Sequence, residues 1–179
     1  HALDLGMNHI ETARIYGTSE LQLGKILPSI PREKLIVQTK GVPCETDAEF
    51  LENFETSMRD LQLDRVDLFS LHGINSEEVL EQSLRHLPVI RQLQKEGRIG
   101  HLGFSTHGAP EIIEKAIKTG EFSYVNLHWY FVYHPINWAP VAEAAKHDMG
   151  VLVISPNDKG GMLYNPPQIL TDLCAPLHP

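Results

Sequence analysis

Several short apolar runs in this chain end on a residue able to do chemistry. Glu11 closes one run, Thr39-Lys40 a second and His72 a third; Ser105-Thr106-His107, Asn126 with His128, and Ser155 close the next three. Tyr16 follows five residues after Glu11. A carboxylate, a phenol, an ammonium and an imidazole together suit one task, the protonation of a carbonyl oxygen as hydride adds to its carbon. That addition creates an alkoxide, which needs a proton donor and stabilisation of the developing charge. A phenol with a pKa of about 10 is a poor acid at neutral pH. A lysine cation beside it lowers that value, and a buried carboxylate keeps the lysine charged and in place. A neutral histidine can orient the carbonyl. This chemistry assigns Tyr16 as general acid, Lys40 as its tuner, Glu11 as the ion-pair partner of Lys40 and His72 as the carbonyl orienter. Each residue taken alone also has a plainer reading: a structural ion pair for Glu11 and Lys40, a packing tyrosine, a hydrogen-bonded structural histidine.

These residues need elements to hold them. The strand candidates are Asn8–Glu11, Leu35–Thr39, Val66–Leu71, Ile99–Phe104, Tyr124–Leu127 and Val151–Ser155, short and apolar as for strands buried on both faces of a parallel sheet. Amphipathic helices lie between them. In Asp47–Leu61, Phe50, Leu51, Phe54, Met58 and Leu61 form one apolar stripe. Pro110–Thr119 starts on a proline and stops at Gly120, with Ile112, Ile113, Ala116 and Ile117 on its buried side. Pro88 should break or kink the stretch from Glu77 to Glu96, and Asn137 is expected to cap a helix over Trp138–Asp148. The proline-rich stretch Thr171–Pro179 is expected to leave the compact body. Strict βα alternation fits an open doubly wound sheet or a closed (β/α)8 barrel. Polar residues at nearly every strand end favour the barrel, which gathers its strand C-termini at one mouth. The first strand is followed by no GxGxxG.

The 179 residues carry 15 Lys+Arg against 23 Asp+Glu, a net charge of −8. An acidic chain argues against nucleic acid or an anionic membrane as the main partner. No apolar run approaches the roughly 20 residues of a membrane span. Two cysteines, Cys44 and Cys174, form neither a disulfide framework nor a zinc cage, which fits a reducing, cytoplasmic setting. Residues 1–179 are expected to form one barrel domain, but six βα units leave an eight-stranded barrel two short. With His1 in first place, the expectation is a fragment of a longer protein, covering about strands 2 to 7 and inactive alone.

His9-Ile10-Glu11-Thr12-Ala13-Arg14-Ile15-Tyr16-Gly17, with Ser19-Glu20 and Leu23-Gly24, resembles the signature of the aldo-keto reductases. Gln38-Thr39-Lys40 looks like the strand of the catalytic lysine, and Asp67–His72 like the strand of the catalytic histidine. Gly97–Ser105 resembles the segment leading to the nicotinamide pocket. The resemblance spans essentially the whole chain, with four motifs in the family's order. It implies a (β/α)8 TIM barrel and an NAD(P)H-dependent oxidoreductase acting on aldehydes or ketones. Tyr16, Lys40, His72 and Glu11 would be the catalytic tetrad, and the partners a nicotinamide cofactor and a small carbonyl substrate. The cofactor implied is NADPH, with NADH open because residues after the eighth strand grip the adenosine phosphate. Ser105, Thr106, Asn126, Ser155, Asn157 and Lys159 stand at cofactor-binding positions, the loop around Lys159-Gly160-Gly161 being either a pyrophosphate cradle or a surface turn.

The chain departs from the family at Glu11, where Asp is usual, and at Ile154, where an aromatic often underlies the nicotinamide. Thr106 and Asn126 replace a common Asn and Gln. An extra methylene at Glu11 displaces the carboxylate by roughly 1 Å, which can cost about 10²-fold where positioning matters. A branch with similar Ser105–His107 and Asn126–Phe131 segments often carries a C-terminal iron–sulfur region. Cys174 alone cannot supply the four ligands, so such a cluster would need residues beyond Pro179. Two other functions stay open: a cofactor-binding regulatory protein with a degraded tetrad, and a metal-dependent barrel hydrolase built on His72, His107 and His128.

Overall fold

A computed structural model of the chain describes residues 1–130, 133–156 and 165–176. Among these residues six strands form one sheet: β1 (His9–Glu11), β2 (Ile36–Gly41), β3 (Val66–His72), β4 (Ile99–Ser105), β5 (Tyr124–Leu127) and β6 (Gly150–Val153). Every neighbouring pair is parallel, and the spatial order is the sequence order. Each crossover therefore moves one strand onward in the same direction, and the order never reverses at a switch point as in a doubly wound sheet. The expected strands occur at these places, with no end shifted by more than two residues.

Side chains show how far the sheet curls. Strands β2 and β5 are three places apart, about 14 Å in a flat sheet. Yet the Gln38 amide on β2 donates to the Asn126 amide oxygen on β5 at 2.8 Å. The strands thus wrap part of a barrel wall, with Gln38 and Asn126 meeting across its interior. In β2–β5 both strand faces are largely buried, but their polarity alternates. Val37, Phe69, Leu71, Leu102, Phe104, Val125 and Leu127 belong to the apolar core. The residues between them include Gln38, Lys40, Ser70, Ser105 and Asn126, all buried and polar.

The helices follow from local signals. Thr46 caps α2 (Asp47–Leu61) by accepting from the Glu49 N–H at 3.2 Å, as N-cap hydroxyls do. Its Phe50 and Phe54 meet Phe69 of β3 edge-on at 6.1 and 5.5 Å. The helix α1 (Ser19–Gly24) packs on α2. The proline-interrupted stretch forms two helices, α3 (Glu77–Arg85) and α4 (Leu87–Lys95), with Pro88 in the first turn of the second. Helix α5 (Pro110–Lys118) buries Ile113, Ala116 and Ile117.

One expectation changes. Helix α6 spans His134–Lys146, so Asn137 lies inside it and caps nothing. Pro135 sits in the first turn of that helix, which suits proline, and the Asn137 amide donates instead to the His128 carbonyl at 2.6 Å. Gln168–Cys174 is also helical, although that helix buries no residue. Among the described residues, no helix is long and apolar enough to cross a membrane.

Gly103 of β4 pairs with Tyr124. A Cβ at Gly103 would lie 2.5 Å from the Tyr124 ring, which is anchored by a 2.9 Å hydrogen bond from its hydroxyl to Ser70. Gly103→Ala should destabilise the full-length protein by about 1–3 kcal/mol, measurable by urea unfolding; an unchanged midpoint would show that the ring yields.

Candidate active site

The tetrad candidates stand on three adjacent strands and one loop. Glu11 ends β1, Lys40 lies on β2 and His72 ends β3. Tyr16 sits in the loop from β1 to α1, which continues the strand pairing: Thr12 N–H donates to Gln38 O at 2.9 Å and Arg14 N–H to Lys40 O at 3.0 Å. The Arg14 guanidinium bridges Glu20 at 2.6 Å and Asp60 at 2.7 Å. Glu20 is buried and also accepts from Thr39 Oγ1 at 2.6 Å. Arg14 and Glu20 thereby fasten the Tyr16 loop to the barrel wall. Both lie inside the quoted signature, but the sequence reading assigned them no part.

Lys40 is 1% exposed, and its ammonium is fully used. Nζ pairs with Glu11 Oε1 at 2.5 Å and donates to Thr12 O at 3.0 Å and Tyr16 Oη at 3.4 Å. An ammonium has three N–H groups, so these partners satisfy it. The contact also sets the polarity of the phenol: Tyr16 accepts from Lys40, leaving its own O–H to donate elsewhere. Glu11 reaches the lysine despite its extra methylene, and its side chain remains a third exposed (33%). Tyr16 is about half exposed (49%).

The His72 ring meets Tyr16 edge-on at 5.6 Å. Burial first, then the Lys40 and His107 charges, pushes its pKa down from 6.5 to about 4, with Glu11 pulling the other way. At neutral pH the ring is therefore uncharged and keeps one N–H.

Glu11, Tyr16, Lys40 and His72 line one cavity of about 390 Å³, together with Ser105, Asn126, Ile154 and Ser155. Ser105 is nearly buried and accepts from the Gly73 N–H at 3.2 Å. Ser155 takes a left-handed backbone, φ 51°. Thr106 is placed differently. Its hydroxyl donates to Ile74 O at 2.6 Å and accepts from the Gly108 N–H at 2.9 Å, and it lines a neighbouring cavity of about 260 Å³. Asn157 and Lys159 lie outside the described residues.

His107 and His128 approach at 3.0 Å between ring nitrogens. Among the described residues, however, no three His, Cys, Asp or Glu side chains converge as a metal site. Cys44 is buried in the core and Cys174 stands on the short C-terminal helix, both as free thiols.

The model of the "Aldo/keto reductase family" matches residues 1–167. The chain belongs to the aldo/keto reductase family. A Glycine max protein named "Probable aldo-keto reductase 1" is 26% identical over 172 residues, 89% of this chain and 49% of that protein. An aldo-keto reductase from Bacillus halodurans, solved in its holo form, superposes with a TM-score of 0.75 at 26% identity, covering 93% of this chain and 58% of that one. A Klebsiella pneumoniae aldo-keto reductase solved with NADPH gives 0.73 at 20% identity, covering 96% and 62%. These superpositions identify the curled sheet as an incomplete (β/α)8 barrel. The chain spans about half the length of the curated relatives it matches.

The unfolded His72 ring takes a proton near pH 6.5 and the folded one only near pH 4. The His72 contribution to folding stability is therefore complete above about pH 6.5 and is lost as pH drops toward 4. In the full-length protein, the His72 ring signals should titrate with a midpoint near 4 by NMR. His72→Gln should remove about 2 kcal/mol of the acid-side loss, allowing for the ring's contact with solvent. A midpoint near 6.5 would contradict the environment described.

Proposed function

We propose that this chain supplies the catalytic wall of an NADPH-dependent reductase of aldehydes or ketones. The observation that carries this reading is the three-way saturation of Lys40 by Glu11, Thr12 O and Tyr16, which leaves the Tyr16 proton directed away from the lysine. Family membership and the position of the four side chains around one cavity support it.

A nicotinamide cofactor fits the groups present. Ser105 offers a hydroxyl and Asn126 an amide N–H toward a carboxamide, Ile154 offers an aliphatic surface for a flat ring, and Ser155 borders the same cavity. Asn157 and Lys159, taken from the sequence motif, complete the proposed binding set, whereas Thr106 borders the neighbouring cavity with its hydroxyl held by the Ile74 carbonyl. Bound there, reduced nicotinamide supplies hydride to the carbonyl carbon. NADPH is favoured over NADH by family membership.

The side chains divide the remaining work. The neutral His72 ring donates its N–H to the carbonyl oxygen and holds it toward Tyr16. As negative charge grows on that oxygen, Tyr16 gives up its proton. The Lys40 cation stabilises the charge left on the phenol oxygen, aided by the shielding of its buried site. Glu11 keeps Lys40 charged and aimed. Activity is placed in the longer protein with a closed barrel, not in residues 1–179 alone.

Tyr16→Phe in the full-length protein should lower carbonyl reduction by about 10²–10⁴-fold with NADPH affinity changed only a few-fold. Steady-state rates and a fluorescence titration measure both. Undiminished turnover would remove Tyr16 from the role of acid.

A further inference from the structure

Beside the Lys40–Glu11 pair lies a polar network sealed from solvent. Gln38, Ser70, Tyr124 and Asn126 are 0%, 0%, 4% and 1% exposed. A side-chain amide has a donor end and an acceptor end, and the end facing each neighbour is a binary choice. His9 Nε2 lies 3.0 Å from Gln38 Oε1, so the histidine N–H donates to that oxygen. Gln38 Nε2 then donates to Asn126 Oδ1 at 2.8 Å and to Ser70 Oγ at 2.9 Å. Asn126 Oδ1 also accepts the Ser70 hydroxyl proton at 3.3 Å. With both lone pairs of that oxygen engaged, the amide nitrogen faces Glu11 and donates to Oε1 at 3.4 Å. Tyr124, kept neutral because burial pushes its pKa up, completes the network with its 2.9 Å contact to Ser70.

We propose that Gln38 is a positioning residue for this centre. By accepting from His9 and donating to Asn126, it holds Asn126 with an N–H toward Glu11, and so holds the Glu11 carboxylate on Lys40. A reversed Asn126 would set a carbonyl oxygen against that carboxylate. Gln38 does not line the cavity; it acts through Asn126. The longer arm of Glu11 makes the restraint useful, since each added rotatable bond widens the positions a carboxylate can sample. The proposal rests on reading the cavity as a carbonyl-reducing site.

The test uses the full-length protein. Gln38→Met keeps the volume and removes the polarity, while Gln38→Glu puts an acceptor where a donor is needed. Single-turnover aldehyde reduction at saturating NADPH should fall about 10-fold for the first and up to about 100-fold for the second. In an Asn126→Ala background, both Gln38 substitutions should change the rate less than about twofold, because the residue they act through is gone. A Gln38→Met rate close to wild type, or equal losses in both backgrounds, overturns the proposal. Should Gln38→Met fail to fold, His9→Phe decides: a loss seen only with Asn126 present supports the role, and no loss overturns it. If the wild-type protein reduces no carbonyl with NADPH, the reading of the cavity fails, and the Asn126 side-chain amide signals in NMR then decide on Gln38. Two separated, slowly exchanging N–H signals that merge in Gln38→Met support the role; unchanged signals overturn it.

Discussion

A lysine with almost no exposed surface carries a charge only if every one of its protons has a partner. Lys40 meets that demand with a carboxylate from β1, a backbone carbonyl just beyond β1, and a phenol from the following loop. Leaving an ammonium buried without such partners costs several kcal/mol, so the three contacts are conditions on the fold as much as features of a site. They require β1 beside β2 in parallel register. They also require the β1–α1 loop to turn back over the strand ends, which the Arg14–Glu20–Asp60 bridge enforces. The same charge helps to keep His72 neutral on the neighbouring strand.

Around that cation the polar groups fall into two layers. Tyr16 and His72 face the cavity and can touch what enters it. Gln38, Ser70 and Tyr124 lie out of solvent and pass hydrogen-bond direction from strand to strand. Asn126 belongs to both layers, lining the cavity while its oxygen is held from behind. Buried polar groups of this kind are stable only when fully partnered. The interior of the curled sheet is thus a directed hydrogen-bond network in place of an apolar core.

Much of this was legible in the sequence where a signal is local. The six apolar runs marked the strands, the stripe in Asp47–Leu61 marked α2 residue for residue, and Pro88 marked the break between α3 and α4. The motif residues Glu11, Tyr16, Lys40 and His72 do meet at one cavity, because each closes or follows a strand and parallel strands bring their C-terminal ends together. What could not be read depends on curvature. Gln38 and Asn126 are far apart in the chain, and nothing in either neighbourhood says that the sheet bends enough for their amides to touch. Thr106 was placed by motif alignment, whereas its hydroxyl is taken up by the Ile74 carbonyl. Asn137 looked like a cap because its residue type suits one, but the helix starts sooner, at His134, with Pro135 in its first turn.

The burial of Lys40 and the exposure of Tyr16 have a joint consequence for where protons come from. The phenol oxygen is anchored from the interior side by a cation that cannot exchange freely with solvent, while about half of the tyrosine surface faces water. In the reaction proposed for this site, the proton given up by Tyr16 would be replaced directly from bulk solvent, with no relay through the protein. In that reaction the phenol oxygen would be the atom at which the site takes its proton from the medium.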